Sequence, residues 1–326
     1  MKYLCPFLKK SFSALPLFLM LPLLATVVVA EEDCPKGKSD KPMSKTAAFR
    51  HCAPQVVNIE ILGHDDDGKW KSHGAGSILH EDGYILTAEH VTASGDTHTV
   101  MLQDGTKYDY KVLGRAGGSY DTAILKVEPK EPLPHVTLGH SDEVKVREKV
   151  MVIGNAGGEP HTVNYGIVEK VTCGGGTQIH IGKSDIRPGD SGGPVYNMRG
   201  EQIAHVHVKI YTLKNASRHI RVDHLRDAFA TVFMDESRYD YMLGIGVDCA
   251  GDAAVVTKVA AESPAAAAGV KVGDTITKFD TMRIGTGPDY VLALMDRVTE
   301  KPVRLVVVRD GEELVKEITP RQNKSS

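Results

Sequence analysis

The stretch that most constrains this chain is Arg187-Pro188-Gly189-Asp190-Ser191-Gly192-Gly193-Pro194. Glycine adopts φ > 0 and tolerates close backbone approach. A serine set among Gly189, Gly192 and Gly193 can therefore sit on a sharp turn. Such a turn aims the amides of Gly189 and Ser191 at one point beside the Ser191 oxygen, the geometry of an oxyanion hole for acyl transfer. The string is far more specific than a lone Gly-x-Ser, for which a Gly-rich surface turn is the plain alternative. A serine hydroxyl is a weak nucleophile without a base, so a histidine and a carboxylate are needed elsewhere.

The chain upstream of the serine reads as strands. Val56-Val57-Asn58-Ile59-Glu60-Ile61 is rich in β-branched residues. His64-Asp65-Asp66-Asp67-Gly68 reads as a solvated hairpin tip, because its acids lack the spacing of a calcium loop. Two more strands, around Ile78 and Ile85, are joined through Asp82-Gly83, and the second runs into Thr87-Ala88-Glu89-His90-Val91. His90, at a strand end, is the candidate base. Asp121 heads the apolar run Thr122-Ala123-Ile124-Leu125-Lys126-Val127. A carboxylate there can accept the imidazole N–H, hold its tautomer and stabilise the imidazolium. Taken singly, His90 reads as structural and Asp121 as a strand-end turn residue; together with Ser191 they form a constellation.

Residues 1–30 read as an export signal, with Lys2, Lys9 and Lys10 ahead of an apolar run and small residues Val28-Val29-Ala30 before the acidic Glu31-Glu32-Asp33. The apolar run approaches spanning length, so an uncleaved anchor is the alternative; Pro16 and Pro22 favour cleavage. The remainder is then exported, periplasmic in a Gram-negative cell and secreted otherwise. At 326 residues, 41% of them hydrophobic, the chain has room for two domains with their own cores. A formal net charge of −3 offers no basic stripe for nucleic acid. Cys34, Cys52, Cys173 and Cys249 lie beyond the signal, and four cysteines allow three pairings. Cys34–Cys52, closing a short N-terminal loop, is the preferred pair, with buried free thiols as the alternative. No C-x-x-C pair supports a metal site, and no cofactor is implied.

The segments around His90, Asp121 and Ser191 resemble the three catalytic segments of HtrA (Deg-type) serine proteases. So do Leu138-Gly139-His140-Ser141-Asp142, Val150-Met151-Val152-Ile153-Gly154-Asn155 and Val163-Asn164-Tyr165-Gly166-Ile167-Val168. The likeness runs from about residue 56 to 320 and implies a mostly β fold: a chymotrypsin-like double β-barrel followed by an α+β PDZ domain. The expected layout is a signal at 1–30, an arm at 31–53, a protease domain at 54–230, a linker at 231–241, a PDZ domain at 242–320 and a tail at 321–326. Three departures stand out. Glu89 replaces the family's usual Ala; in extended chain it would face away from His90. Asp190 stands where many members have Asn, with Arg187 as a local partner. Ala156-Gly157-Gly158 replaces the family's Pro-Phe-Gly.

Candidate pocket residues are Asp185, Ile186, His205, Val206 and His207. Asp185 has the spacing of the acid that selects Lys or Arg in trypsin-like enzymes, whereas the resemblance implies small aliphatic specificity. His205 and His207 alternate, so they share a strand face; they line the pocket, bind a metal or lie as surface histidines on an edge strand. Arg221–Ala230 has the apolar spacing of a closing helix. Leu243-Gly244-Ile245-Gly246-Val247 resembles the carboxylate-binding loop of PDZ domains, where successive amides form a nest for an anionic chain end. The resemblance further implies unfolded or misfolded protein substrates, peptide C-termini as PDZ ligands, a homotrimer and a role in envelope quality control. The alternative is a non-cleaving chaperone or binding protein of the same fold.

Overall fold

The computed structural model describes residues 41–93, 95–172, 178–209 and 216–323. The signal segment, Cys34 and Cys173 lie outside the described residues. A helix, α1 (Lys45–Cys52), opens the described chain. Ser44 caps it by accepting from the Ala47 amide at 3.3 Å, and Ala48 and Cys52 are buried. Over its described part, the expected arm at 31–53 is therefore a docked helix, and Cys52 does not form the preferred pair. Cys52 and Cys249 are free buried thiols; burial pushes each thiol up to about 12.

The first sheet contains β1 (Val56–Asp65), β2 (Gly68–His80), β3 (Tyr84–Thr87), β4 (Thr97–Met101), β5 (Lys107–Asp109), β6 (Lys111–Ala116) and β7 (Thr122–Lys126). Its order is β5-β4-β1-β2-β3-β7-β6. β1 and β2 pair from Val56↔Ser77 to Asp65↔Gly68, so Asp66-Asp67 is the two-residue hairpin tip. Val57, Ile59, Ile78, Ile85, Val100 and Leu125 fill the interior of this sheet.

The second sheet contains β8 (Thr137–Leu138), β9 (Lys149–Gly154), β10 (Thr162–Val171), β11 (Gln178–Gly182), β12 (Pro194–Asn197), β13 (Glu201–Lys209) and β14 (Ala216–Arg221). Its order is β12-β9-β10-β11-β14-β13-β8, and β12 also pairs with β13, which closes the sheet on itself. Val150, Val152, Val168, Ile181, Val195 and Val206 form its core. Each barrel thus has its own apolar interior, built from residues at alternate positions along the strands.

Helix α2 (Val222–Ala228) follows β14 and continues as a π-turn at Phe229–Phe233. Residues 231–241 are more structured than a polar linker, because a 3-10 turn follows at Glu236–Arg238, capped by Asp235. The last domain holds β15 (Tyr241–Met242), β16 (Ile245–Val247), β17 (Ala254–Val259), α3 (Pro264–Ala267), β18 (Thr275–Phe279), β19 (Met282–Arg283), α4 (Gly287–Arg297), β20 (Val303–Arg309), β21 (Glu312–Ile318) and β22 (Arg321–Gln322). β22 pairs back on β15, so part of the expected tail is a strand. The main sheet runs β16-β17-β18-β20-β21, which leaves β16 on an edge. Polar contacts tie this domain to the first barrel. Arg297 donates to Asp82 at 2.6 Å and to the Tyr84 hydroxyl at 3.2 Å. Tyr84 in turn donates to Asp296 at 3.1 Å, and His80 Nε2 donates to the Arg283 carbonyl at 3.0 Å.

Candidate active site

His90 lies in a 3-10 turn, Glu89–Thr92, that follows β3. With about three residues per turn, Glu89 and His90 do not alternate as in extended chain, which corrects that expectation. Glu89 is the weakest of the influences that raise the His90 pKa. Asp121 precedes β7 with φ of 40°, in the left-handed region that a non-glycine residue enters only under local constraint.

The constraint at Asp121 is visible in its contacts. Its carboxylate accepts from His90 Nδ1 at 2.9 and 3.0 Å and from the His90 amide at 3.1 Å. It also accepts from His207 Nδ1 at 2.6 Å, while its carbonyl accepts from His205 Nε2 at 3.2 Å. The carboxylate is acceptor-only, so both Nδ1 atoms carry hydrogen. His90 Nε2 is then left with its lone pair, the tautomer a general base requires. The Asp121 bond is the main cause of a raised His90 pKa, against the lowering effect of burial. Burial pushes Asp121 upward, but the hydrogen bonds from His207 and His90 outweigh it and hold the carboxyl well below its ordinary range.

His205 and His207 are not surface residues of an edge strand. β13 is paired on both sides, with β14 and with β12 and β8, and His205 is 1% exposed. Both histidines reach from the second sheet to Asp121 at the start of β7. Their alternation in β13 was legible in the sequence; the partner was not, because it lies 84 and 86 positions away on the other sheet. His90, Asp121 and His207 also form a group of possible metal ligands, with the ligand atoms within 4.8 Å of one another. Both Nδ1 positions are engaged as donors to the carboxylate, so a metal would have to displace those bonds.

Ser191 is carried toward the same residues by its glycines. Gly192 has φ of +81°, and a Cβ there would meet Thr87 Oγ1 at 2.3 Å and the Ala88 amide nitrogen at 2.7 Å. The serine loop thus packs on the residues that lead into His90. The Ala75 amide donates to the Ser191 carbonyl at 2.8 Å, fixing the loop to β2. Gly189 has φ of +101°, and a Cβ there would lie 2.1 Å from the Asn155 carbonyl. Among the described residues the Gly189 and Ser191 amides donate to nothing, and the Ser191 hydroxyl has no hydrogen-bond partner, His90 included. Contacts of this kind are often long without substrate and tighten in the complex.

Asp190 is fully buried and works locally: its carboxylate accepts from the Arg187 amide at 2.9 Å and from Thr162 Oγ1 at 3.4 Å. Burial raises its pKa. Arg187 uses its side chain elsewhere, donating to Asp185 at 2.6 and 2.9 Å on the surface. The candidate specificity acid is therefore already paired with a cation. Ile186 and Val206 are buried, Val206 with its amide donating to the Gly193 carbonyl at 2.8 Å.

In the C-terminal domain, Gly244 has φ of +83° at the head of β16. Ser263 caps α3, and Gly269 follows that helix with φ of +76°. Helix α4 opens with a capping box, Thr286 and Asp289 bonding reciprocally. The Leu243 and Gly244 amides are not open: they donate to the Glu236 carboxylate at 2.7 and 2.8 Å.

Comparison with known proteins bears on the domains and the fold. The Trypsin-like peptidase domain family matches residues 74–204, and the PDZ domain family matches residues 242–319. A "Probable periplasmic serine endoprotease DegP-like" of Pseudomonas putida (strain GB-1) is 31% identical over 263 residues, covering 74% of this chain and 54% of that protein. One of the same name from Pseudomonas savastanoi pv. phaseolicola is 30% identical over 305 residues, covering 87% of this chain and 63% of its own. The chain thus spans only about half to two thirds of the length of these relatives. Among solved structures, an HtrA-type protease AlgW with decapeptide aligns over 87% of this chain and all of its own, with a TM-score of 0.52 and 23% identity. A serine endoprotease from Yersinia pestis aligns over the same shares with a TM-score of 0.51 and 24% identity. These two show likeness of fold. With its trypsin-like domain followed by a PDZ domain, the chain belongs to the HtrA (Deg-type) serine protease family.

Proposed function

We propose that the protein is an exported serine endopeptidase that cuts unfolded polypeptides. The observation that carries this is the Asp121 carboxylate accepting both the ring and the backbone N–H of His90, beside a serine loop with two uncommitted amides. In this reading Ser191 Oγ attacks the scissile carbonyl carbon as His90 Nε2 takes its proton. Asp121 holds the imidazole and balances the imidazolium charge. The Gly189 and Ser191 amides donate to the tetrahedral oxyanion. His90 then gives the proton to the leaving amine, and a water, activated by the same ring, releases the acyl group.

The paired Asp185 supports cleavage after small apolar residues rather than Lys or Arg. The PDZ domain takes free C-termini, which add as a strand on the β16 edge with their carboxylate at the Leu243–Gly244 amides. The names of the relatives support a periplasmic setting; protein quality control is the role, and a homotrimer the assembly, that the family resemblance implies. The test is digestion of unfolded casein by the purified protein, with product ends read by mass spectrometry. Wild type is expected to cut without Lys or Arg preference, and Ser191→Ala to lose at least about 10⁴-fold in rate. Casein bound but uncut by both would favour the chaperone reading.

A further inference from the structure

The nest in the PDZ domain already holds a carboxylate. Glu236 Oε1 accepts from the Leu243 amide at 2.7 Å and Oε2 from the Gly244 amide at 2.8 Å. Two oxygens on two consecutive amides is how a chain terminus would be held. Two residues earlier, Met234 Sδ accepts from the Val247 amide at 3.4 Å. Residues 234 to 236 therefore pass along β16 in the antiparallel sense, from Val247 back to Leu243. β16 is bonded in the main sheet only to β17, so the linker lies on its open edge. The opposite wall of a PDZ groove is the helix, here α4. The hydroxyl of the buried Tyr290 on that helix has no hydrogen-bond partner among the described residues. A cavity of about 400 Å³ lies between the linker, β16 and β17, beside Met234, Glu236, Gly244, Ile245, Lys258 and Ala260, and no residue of α4 lines it.

We propose that Glu236 is an internal substitute for a peptide C-terminus, which keeps the PDZ groove closed until a free α-carboxylate displaces it. This rests on reading Leu243–Val247 as the peptide-binding loop. The occupant that competes is a chain end of apolar sequence: its carboxylate would take the two amides and its backbone would replace Met234 on the β16 edge. Glu236 is not a comfortable surface acid, since burial raises its pKa against the lowering effect of the two amides. An internal ligand lowers apparent affinity by the fraction of molecules in which it is bound.

The test uses the full chain carrying Ser191→Ala, so that the probe survives. The probe is a fluorescein-labelled octapeptide pool, randomised among apolar residues over its last four positions, with either a free or an amidated C-terminus. Glu236→Ala is expected to bind the free-acid pool at least about tenfold tighter than the parent, with no gain for the amide pool. Glu236→Gln, which keeps the side chain's shape and one acceptor, is expected to fall between. In ¹⁵N spectra the Leu243 and Gly244 amides should move in both variants and should move on adding the free-acid pool to the parent. Equal affinity of parent and variants would overturn the latch while leaving the PDZ reading intact. No binding by any of them, with amide signals that ignore the pool, would overturn both.

Discussion

At the scale of residues, the site is organised around Asp121, which collects the His90 ring, the His90 amide, His207 and His205. His207 donates to the Asp121 carboxylate at 2.6 Å, so under the proposed function it serves as a positioning residue. Hydrogen bonds to a charged group contribute about 1.5–3 kcal/mol, so His207→Ala should lower kcat/KM by about 10- to 100-fold. Losing that donor makes Asp121 a stronger acceptor for His90. The acid limb of the pH–rate profile should then move to higher pH in His207→Ala, a shift that simple loss of packing would not cause. In the wild type that limb should already lie above the ordinary histidine value of about 6.5, because Asp121 raises His90. The buried His205 and His219 act in the opposite direction, on stability. Burial lowers them to about 4 and about 3. The unfolded chain takes up these protons first, so stability is intact above about pH 6.5 and is lost as pH falls toward the folded values. Urea midpoints measured from pH 8 to pH 4 should decline, and His219→Asn should flatten the decline.

At the scale of elements, much of the fold was legible because the signals are local. The hairpin at Asp66-Asp67, the strand that leads into His90 and the run after Asp121 each follow from patterns within a dozen residues. Helix α1 was not legible, although Ser44 ahead of Ala47 and Ala48 is a capping signal, because Lys41 and Lys45 give the segment the composition of a solvated stretch. What was not legible depends on the register between sheets. β13 alternates in plain view, but that His207 meets Asp121 follows only from how the two barrels abut. Glu236 was hidden for a related reason, since a polar linker residue gives no sign of which amides it will reach. The capping box of α4 offers a test at this scale. Asp289 accepts from the Gly285 and Thr286 amides at 3.0 and 2.8 Å. Asp289→Ala should cost about 1 kcal/mol, measured by urea unfolding.

At the scale of the whole molecule, the first barrel and the PDZ domain meet through Asp82, Tyr84, Asp296 and Arg297. Arg297 is partly buried there, and its removal leaves Asp82 without this cation. Arg297→Ala should destabilise the protein by about 2 kcal/mol, read as a lower unfolding midpoint. The candidate site draws His90 and Asp121 from the first barrel and Ser191, His205 and His207 from the second. Catalysis in this account needs both barrels docked, and no short fragment should retain it. The most direct measurement is the intact mass of the folded protein after reaction with a fluorophosphonate, followed by peptide mapping. The account predicts a single adduct on Ser191, absent in Ser191→Ala and strongly slowed in His90→Ala. Labelling that is absent in the wild type, or unaffected by either substitution, would contradict it.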